Sequence, residues 1–106
     1  MPKGYEVERV AVKDEKRLLI PKGARTVVLD ERGAELTTEK FARLLRASTA
    51  FVIGGADGLS PAAKEKAQLL LRLSALTLPH ALAQVILLEQ LYRAASILTG
   101  HPYHRV

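Results

Sequence analysis

Valine and charged residues interleave over Tyr5–Val12, and this loose alternation predicts a strand. Lys13–Lys22 is a charged connection that ends in Pro21 and Gly23. Thr26–Asp30 (TVVLD) is a short β-branched run of the kind that suits a buried parallel strand. Glu31-Arg32-Gly33 then reads as a turn. Thr37 or Thr38 is placed to cap a helix through about Ala47, with Phe41, Leu44 and Leu45 on one face. Ala50–Ile53 is a third strand and ends at Gly54-Gly55.

Ser60-Pro61 is a strong helix start. The serine hydroxyl can accept from free N–H groups, and proline fits the first helical position because its missing N–H would be unpaired anyway. The spacing predicts that this helix runs to about Leu71, with Leu73–Leu78 a further strand or extended loop closed by Pro79. A long final helix covers about Ala81 to Thr99, and Gly100 ends it. Strands alternating with helices imply an α/β fold with a mostly parallel sheet covered on both faces. Leu82, Val85, Ile86, Leu87, Leu88, Leu91, Ile97 and Leu98 put apolar groups on nearly every face of the last helix. One small sheet covers one side of such a helix, so a two-fold partner is the simplest cover for the other. Glu89 and Arg93 have the spacing of an ion pair along the helix, with Arg93 at an interface or substrate groove as the alternative.

Composition narrows the class. At 106 residues the chain reads as one domain, residues 1–106, and 48% hydrophobic with 25% charged residues excludes wholesale disorder. Cysteine is absent, which excludes disulfides and thiolate metal sites and permits a cytoplasmic setting. The three histidines have no neighbouring carboxylates, so no metal site is expected. MPKGYEVERV lacks an apolar signal core. Leu73–Leu88 is uncharged but broken by polar residues and too short to cross a bilayer, so no membrane segment is expected. The net charge of +5 favours an anionic partner. Residues 1–50 carry eleven of the sixteen Lys and Arg against eight of the eleven acids. The excess is spread out, so an RNA surface would be assembled by folding or by pairing two chains.

Two segments are candidates for chemistry. VIGGADGLSP leaves a strand and enters a helix, and glycines at a strand's carboxyl end let a ligand approach the backbone. The spacing is neither GxGxxG nor a P-loop, and a tight structural turn is an equal alternative. LSALTLP offers small and apolar side chains with free backbone polar groups, which suits a neutral purine ring in an apolar slot; a buried strand is the alternative.

Taken in order, FVIGGADGLSPAAKEKA and LSALTLPHALAQVILLEQLYRAASILTGHPYHR closely resemble the SPOUT-class ribosomal RNA large subunit methyltransferase H family, whose members methylate N3 of a pseudouridine. The likeness covers roughly Arg25 to Arg105. It implies a C-terminal trefoil knot, a homodimer, and S-adenosylmethionine bound in the knot region, about 51–106. By position, it implies cofactor contacts at Leu29, Gly55, Ser74, Ala75, Leu76, Thr77, Leu78 and Pro79. It also implies that Tyr103, His104 and Arg105 serve substrate binding or catalysis, on a pseudouridine of large-subunit ribosomal RNA in the assembled ribosome. His104 could take the N3 proton, Arg105 could stabilise the developing imidate or hold a phosphate, and Tyr103 could stack on a base. His80 reads as structural. Family members usually begin with an additional strand and helix, and the front of this chain is shorter, which leaves the sheet's edge and the breadth of an RNA surface open. The competing class is a non-catalytic RNA- or ribosome-binding module on the same knotted scaffold. A weaker third option is a nucleotide-binding protein that uses Gly54-Gly55 for phosphate.

Overall fold

The computed structural model describes residues 5–8, 20–54, 59–76 and 78–100. The chain runs β1 (Arg25–Glu35), α1 (Thr38–Leu44), β2 (Thr49–Val52), α2 (Pro61–Glu65), β3 (Leu69–Arg72) and α3 (His80–Thr99). The three strands form one parallel sheet in the order β2-β1-β3. Strands alternating with helices and a parallel sheet are the α/β architecture expected from the residue pattern. The trefoil knot implied by the resemblance depends also on the path through 55–58 and 77, which lie outside the described residues.

Alternation along β1 sets the layers. Val27 is 1% exposed, and its side of the sheet, with its neighbours Phe51 and Leu69, packs into the main core. That core includes Phe41 and Ala42 of α1, Leu71 of β3, and Leu87, Leu91 and Ala94 of α3. The rings of Phe41 and Phe51 meet with centroids 5.5 Å apart. Val28 and its β2 neighbour Val52 fall on the opposite face and are also buried, as strands covered on both sides require.

The caps follow local chemistry. Thr37 Oγ1 accepts from the Lys40 N–H at 3.2 Å and starts α1, which ends at Leu44 rather than near Ala47. Arg25 is fixed at the other end of that helix, where its guanidinium donates to the Leu44 carbonyl at 3.3 Å. Ser60 Oγ accepts from the Ala63 N–H at 3.2 Å with Pro61 in the first turn of α2. Gly100 closes α3 in the left-handed conformation, φ 74°, which costs glycine nothing.

Three expectations from the sequence are corrected. Tyr5–Glu8 carries no strand, and the rest of Tyr5–Val12 lies outside the described residues. The expected turn at Glu31–Gly33 lies inside β1: Leu29 and Ala34 both pair with Leu71, so residues 30–33 bulge out and the strand then resumes. Gly33 presses against β3 within this bulge, and a Cβ there would stand 2.5 Å from the Leu70 carbonyl carbon. Finally, the helix begun at Ser60 spans only five residues and a strand, Leu69–Arg72, takes the place of its expected end, while the described part of Leu73–Leu78 takes the loop alternative. Gln68 decides this point. Its N–H donates to the Thr26 carbonyl at 2.9 Å and its Oε1 accepts from the Thr26 N–H, so the chain is captured by β1 before the helix can continue.

By length and composition alone α3 could cross a membrane. Its buried Leu87–Leu91–Ala94 stripe packs in the core beside α1, and Glu89 and Arg93 lie in its middle, which is the behaviour of a core helix.

Candidate functional site

The carboxyl ends of the strands open on a cavity of about 470 Å³. Open parallel sheets bind ligands at this edge, and the volume lies within the range of small-molecule sites. Its walls come from five places. Leu29, Asp30 and Glu31 close the first half of β1, and Ile53 and Gly54 leave β2. Leu59 and Lys64 contribute from the α2 region, and His80 and Ala83 from the start of α3. The remaining wall is the end of β3 and the loop after it, through Leu71–Ser74, Leu76, Leu78 and Pro79.

Charged groups at this edge are paired. Lys64 Nζ lies 2.9 Å from Asp30 Oδ2, whose side chain is only 8% exposed. Asp30 Oδ1 accepts from the Arg32 N–H at 2.9 Å. The Arg32 amide first, and then the Lys64 hydrogen bond, hold the Asp30 carboxyl below the usual carboxylate range. Asp30 is therefore an anion at neutral pH, tying α2 to the end of β1. Arg72 donates to Glu35 Oε2 at 3.0 Å across the β1–β3 pair. His80 bridges two walls: Nδ1 lies 2.6 Å from the Gly54 carbonyl and Nε2 lies 2.7 Å from Gln84 Nε2. A carbonyl only accepts, so Nδ1 carries the proton and Nε2 accepts from the Gln84 amide.

Of the residues named for cofactor contact, Leu29, Ser74, Leu76, Leu78 and Pro79 stand on the wall of this one cavity. Ser74 Oγ accepts from the Leu76 N–H at 3.0 Å and shapes the loop. Ala75 is exposed and not on the wall. Gly55, Thr77, Tyr103, His104 and Arg105 lie outside the described residues. Sequence reasoning missed Asp30, Lys64 and Arg72. Asp30 closes the TVVLD strand, and a polar residue at a parallel strand's carboxyl end is the signal that points to it. Lys64 and Arg72 gave none, because their places depend on the β1–β3 pairing. Among the described residues no group of His, Asp and Glu suits a metal ion.

A family model described as "Predicted SPOUT methyltransferase" matches residues 2–104. The chain belongs to the SPOUT methyltransferase family. Among similar proteins are those named ribosomal RNA large subunit methyltransferase H from Burkholderia mallei (strain SAVP1) and from Burkholderia pseudomallei (strains 668 and K96243). Each is 59% identical over 92 residues, a match that takes in 81% of this chain and 59% of the relative. The chain thus spans well under two thirds of the length of these relatives.

Proposed function

We propose that the chain is an S-adenosylmethionine-dependent methyltransferase acting on N3 of a pseudouridine in large-subunit ribosomal RNA, within the assembled ribosome of the cytoplasm. One observation carries this reading. The cavity at the carboxyl edge is walled by the two segments, around Gly54 and from Leu73 to Pro79, that resemble the cofactor loops of ribosomal RNA methyltransferases.

The residues present suit the cofactor. Leu29, Leu71, Leu76 and Leu78 offer an apolar slot for a flat purine ring. Asp30 and Glu31 supply carboxylates to a wall that would face ribose hydroxyls and cationic groups. S-adenosylmethionine, when bound, supplies an activated methyl group. What the protein then contributes is largely positioning and the removal of one proton from N3. His80 is not the acceptor, since both of its ring nitrogens are engaged. His104 is assigned that role, with Arg105 stabilising the developing imidate and Tyr103 stacking on a base; these three rest on the resemblance.

A homodimer belongs to the same reading. Leu82, Val85 and Leu88 recur along one side of α3 and are 46%, 62% and 44% exposed. The opposite side of the helix is buried in the core, so these side chains present a second apolar face to a partner. Sedimentation at micromolar concentration is expected to report a dimer, and a monomer would remove this part of the reading.

Calorimetry with S-adenosylmethionine tests the central claim. Binding in the micromolar range is expected, and its absence at millimolar cofactor would sink the methyltransferase reading. Transfer of labelled methyl to purified ribosomes, with protein-free RNA alongside, tests the substrate. Cofactor binding without transfer to either would favour a non-catalytic RNA-binding module.

A further inference from the structure

The two edges of the sheet differ in charge. At the amino edge, Lys22 sits in the turn just before β1, Arg25 is the first residue of β1, and Arg43 and Arg46 lie at the carboxyl end of α1. Hydrogen bonds hold these segments together: the Arg25 N–H donates to the Ser48 carbonyl at 2.9 Å, and its guanidinium donates to Leu44. Lys22, Arg43 and Arg46 are all exposed. None has an ion-pair partner among the described residues. Two acids are near: Glu39 stands one turn before Arg43 on α1, and Glu65 precedes β3 on the same edge with Lys66 beside it. Among the described residues, Lys22, Arg25, Arg43, Arg46 and Lys66 thus gather on one edge, where cations outnumber acids.

We infer that this amino edge is a contact surface for RNA phosphates, separate from the cavity. The inference rests on the RNA-methyltransferase reading for the identity of the partner, and on the charge arrangement for the place. Exposed cations that form no ion pair among the described residues lose little on meeting phosphates, and they release the counterions condensed on the nucleic acid. Arg25, fixed by its bond to Leu44, is a charge held in position rather than a swinging one. From Arg25 to Asp30 the strand advances five residues, about 17 Å. A folded RNA can therefore rest its backbone on the amino edge while a nucleotide elsewhere on it reaches the cavity. The edge grips backbone without reading sequence, so it adds affinity and leaves the choice of base to the cavity.

The test is the triple variant Lys22→Gln/Arg43→Gln/Arg46→Gln, compared with wild type and with Lys40→Gln, an exposed cation in the first turn of α1, as a control outside the cluster. Arg25 is left in place because it also caps α1. Binding to purified ribosomes and to protein-free large-subunit RNA is measured across a salt series, with S-adenosylmethionine binding measured separately. The triple variant is expected to bind both RNA-containing partners more than tenfold more weakly near physiological salt. Its slope of log affinity against log salt should fall by about two to three, roughly one for each lost phosphate contact. Cofactor affinity should not change, and Lys40→Gln should bind RNA within about twofold of wild type. Unchanged affinity and slope in the triple variant would overturn the inference, while cofactor binding and methyl transfer by the wild type would leave the enzymatic reading intact. Weaker binding to ribosomes but not to naked RNA would overturn it in favour of an acidic protein surface. A wild type that binds RNA without cofactor or methyl transfer would fail the enzymatic reading, and the binding arms would still decide the surface. A wild type that binds neither ribosomes nor RNA would overturn the inference outright.

Discussion

The two edges of the sheet use charge in opposite ways. At the carboxyl edge, Asp30 pairs with Lys64 across two walls of the cavity, and Glu35 pairs with Arg72 to brace β1 against β3. At the amino edge, Lys22, Arg43 and Arg46 face solvent without such partners among the described residues. Charge spent internally fixes shape; charge left outward is available to a partner. The same residue types thus serve architecture at one end of the strands and recognition at the other. Neither net charge nor composition separates the two uses.

The largest effect expected is at Gly33. Gly33→Ala would drive a Cβ into the backbone of Leu70 and Leu71. Backbone cannot step aside as a flexible side chain can, so the β1–β3 pairing should be lost around the cavity. A stability loss of about 3 kcal/mol, read from the urea midpoint, is expected. A loss below about 0.5 kcal/mol, the range of ordinary surface substitutions, would show that the bulge does not press on β3 as described.

A smaller effect is expected at Asp30. Asp30→Asn removes the ion pair with Lys64 and weakens acceptance from the Arg32 amide, for a loss of about 1 kcal/mol at neutral pH. The acid side carries the sign. Because the folded-state carboxyl titrates below its ordinary value, its contribution is fully present above the unfolded carboxylate pKa and is lost as pH falls through the lowered folded value. Wild type should therefore lose stability relative to Asp30→Asn as the medium is acidified, and the two should converge. Parallel curves across that range would remove Asp30 as the source.

The smallest effect sharpens the contrast. Arg43→Gln/Arg46→Gln should leave the urea midpoint within about 0.5 kcal/mol of wild type, since these side chains are exposed and form no ion pair with the described residues. A cost as large as that of Asp30→Asn would mean that the amino edge is architectural too.

What the residue pattern disclosed depended on how local each decision is. The final helix was legible almost to the residue, because Pro79 and Gly100 mark its ends by their own backbone chemistry. So were the starts of α1 and α2, where Thr37 and Ser60 accept from amides three residues on. Leu69–Arg72 was not. Three leucines in succession suit helix or buried strand equally, and the choice is made by Gln68 meeting Thr26 from 42 residues away. The continuation of β1 past Gly33 was hidden for the same reason: turn-forming residues there build a bulge whose exit is fixed by Leu71. For the candidate site, Leu29 and the loop from Ser74 to Pro79 were named through the resemblance to a methyltransferase family. The Asp30–Lys64 and Glu35–Arg72 pairs were not, because each joins segments that meet only after the sheet forms.

The central place of β1 has a consequence for how the molecule comes into being. Its partners β2 and β3 both lie later in the chain, and parallel pairing requires a crossover before each can dock. On a ribosome releasing the chain from its amino end, β1 emerges with both edges bare. It stays so on its β3 side until residues 69–72 are free of the exit tunnel. Nor can the cavity exist before then, since it needs all three strands and the first turn of α3. The cavity therefore arises late and all at once, and a nascent chain stalled before α3 would offer an unpaired valine-rich strand to its neighbours.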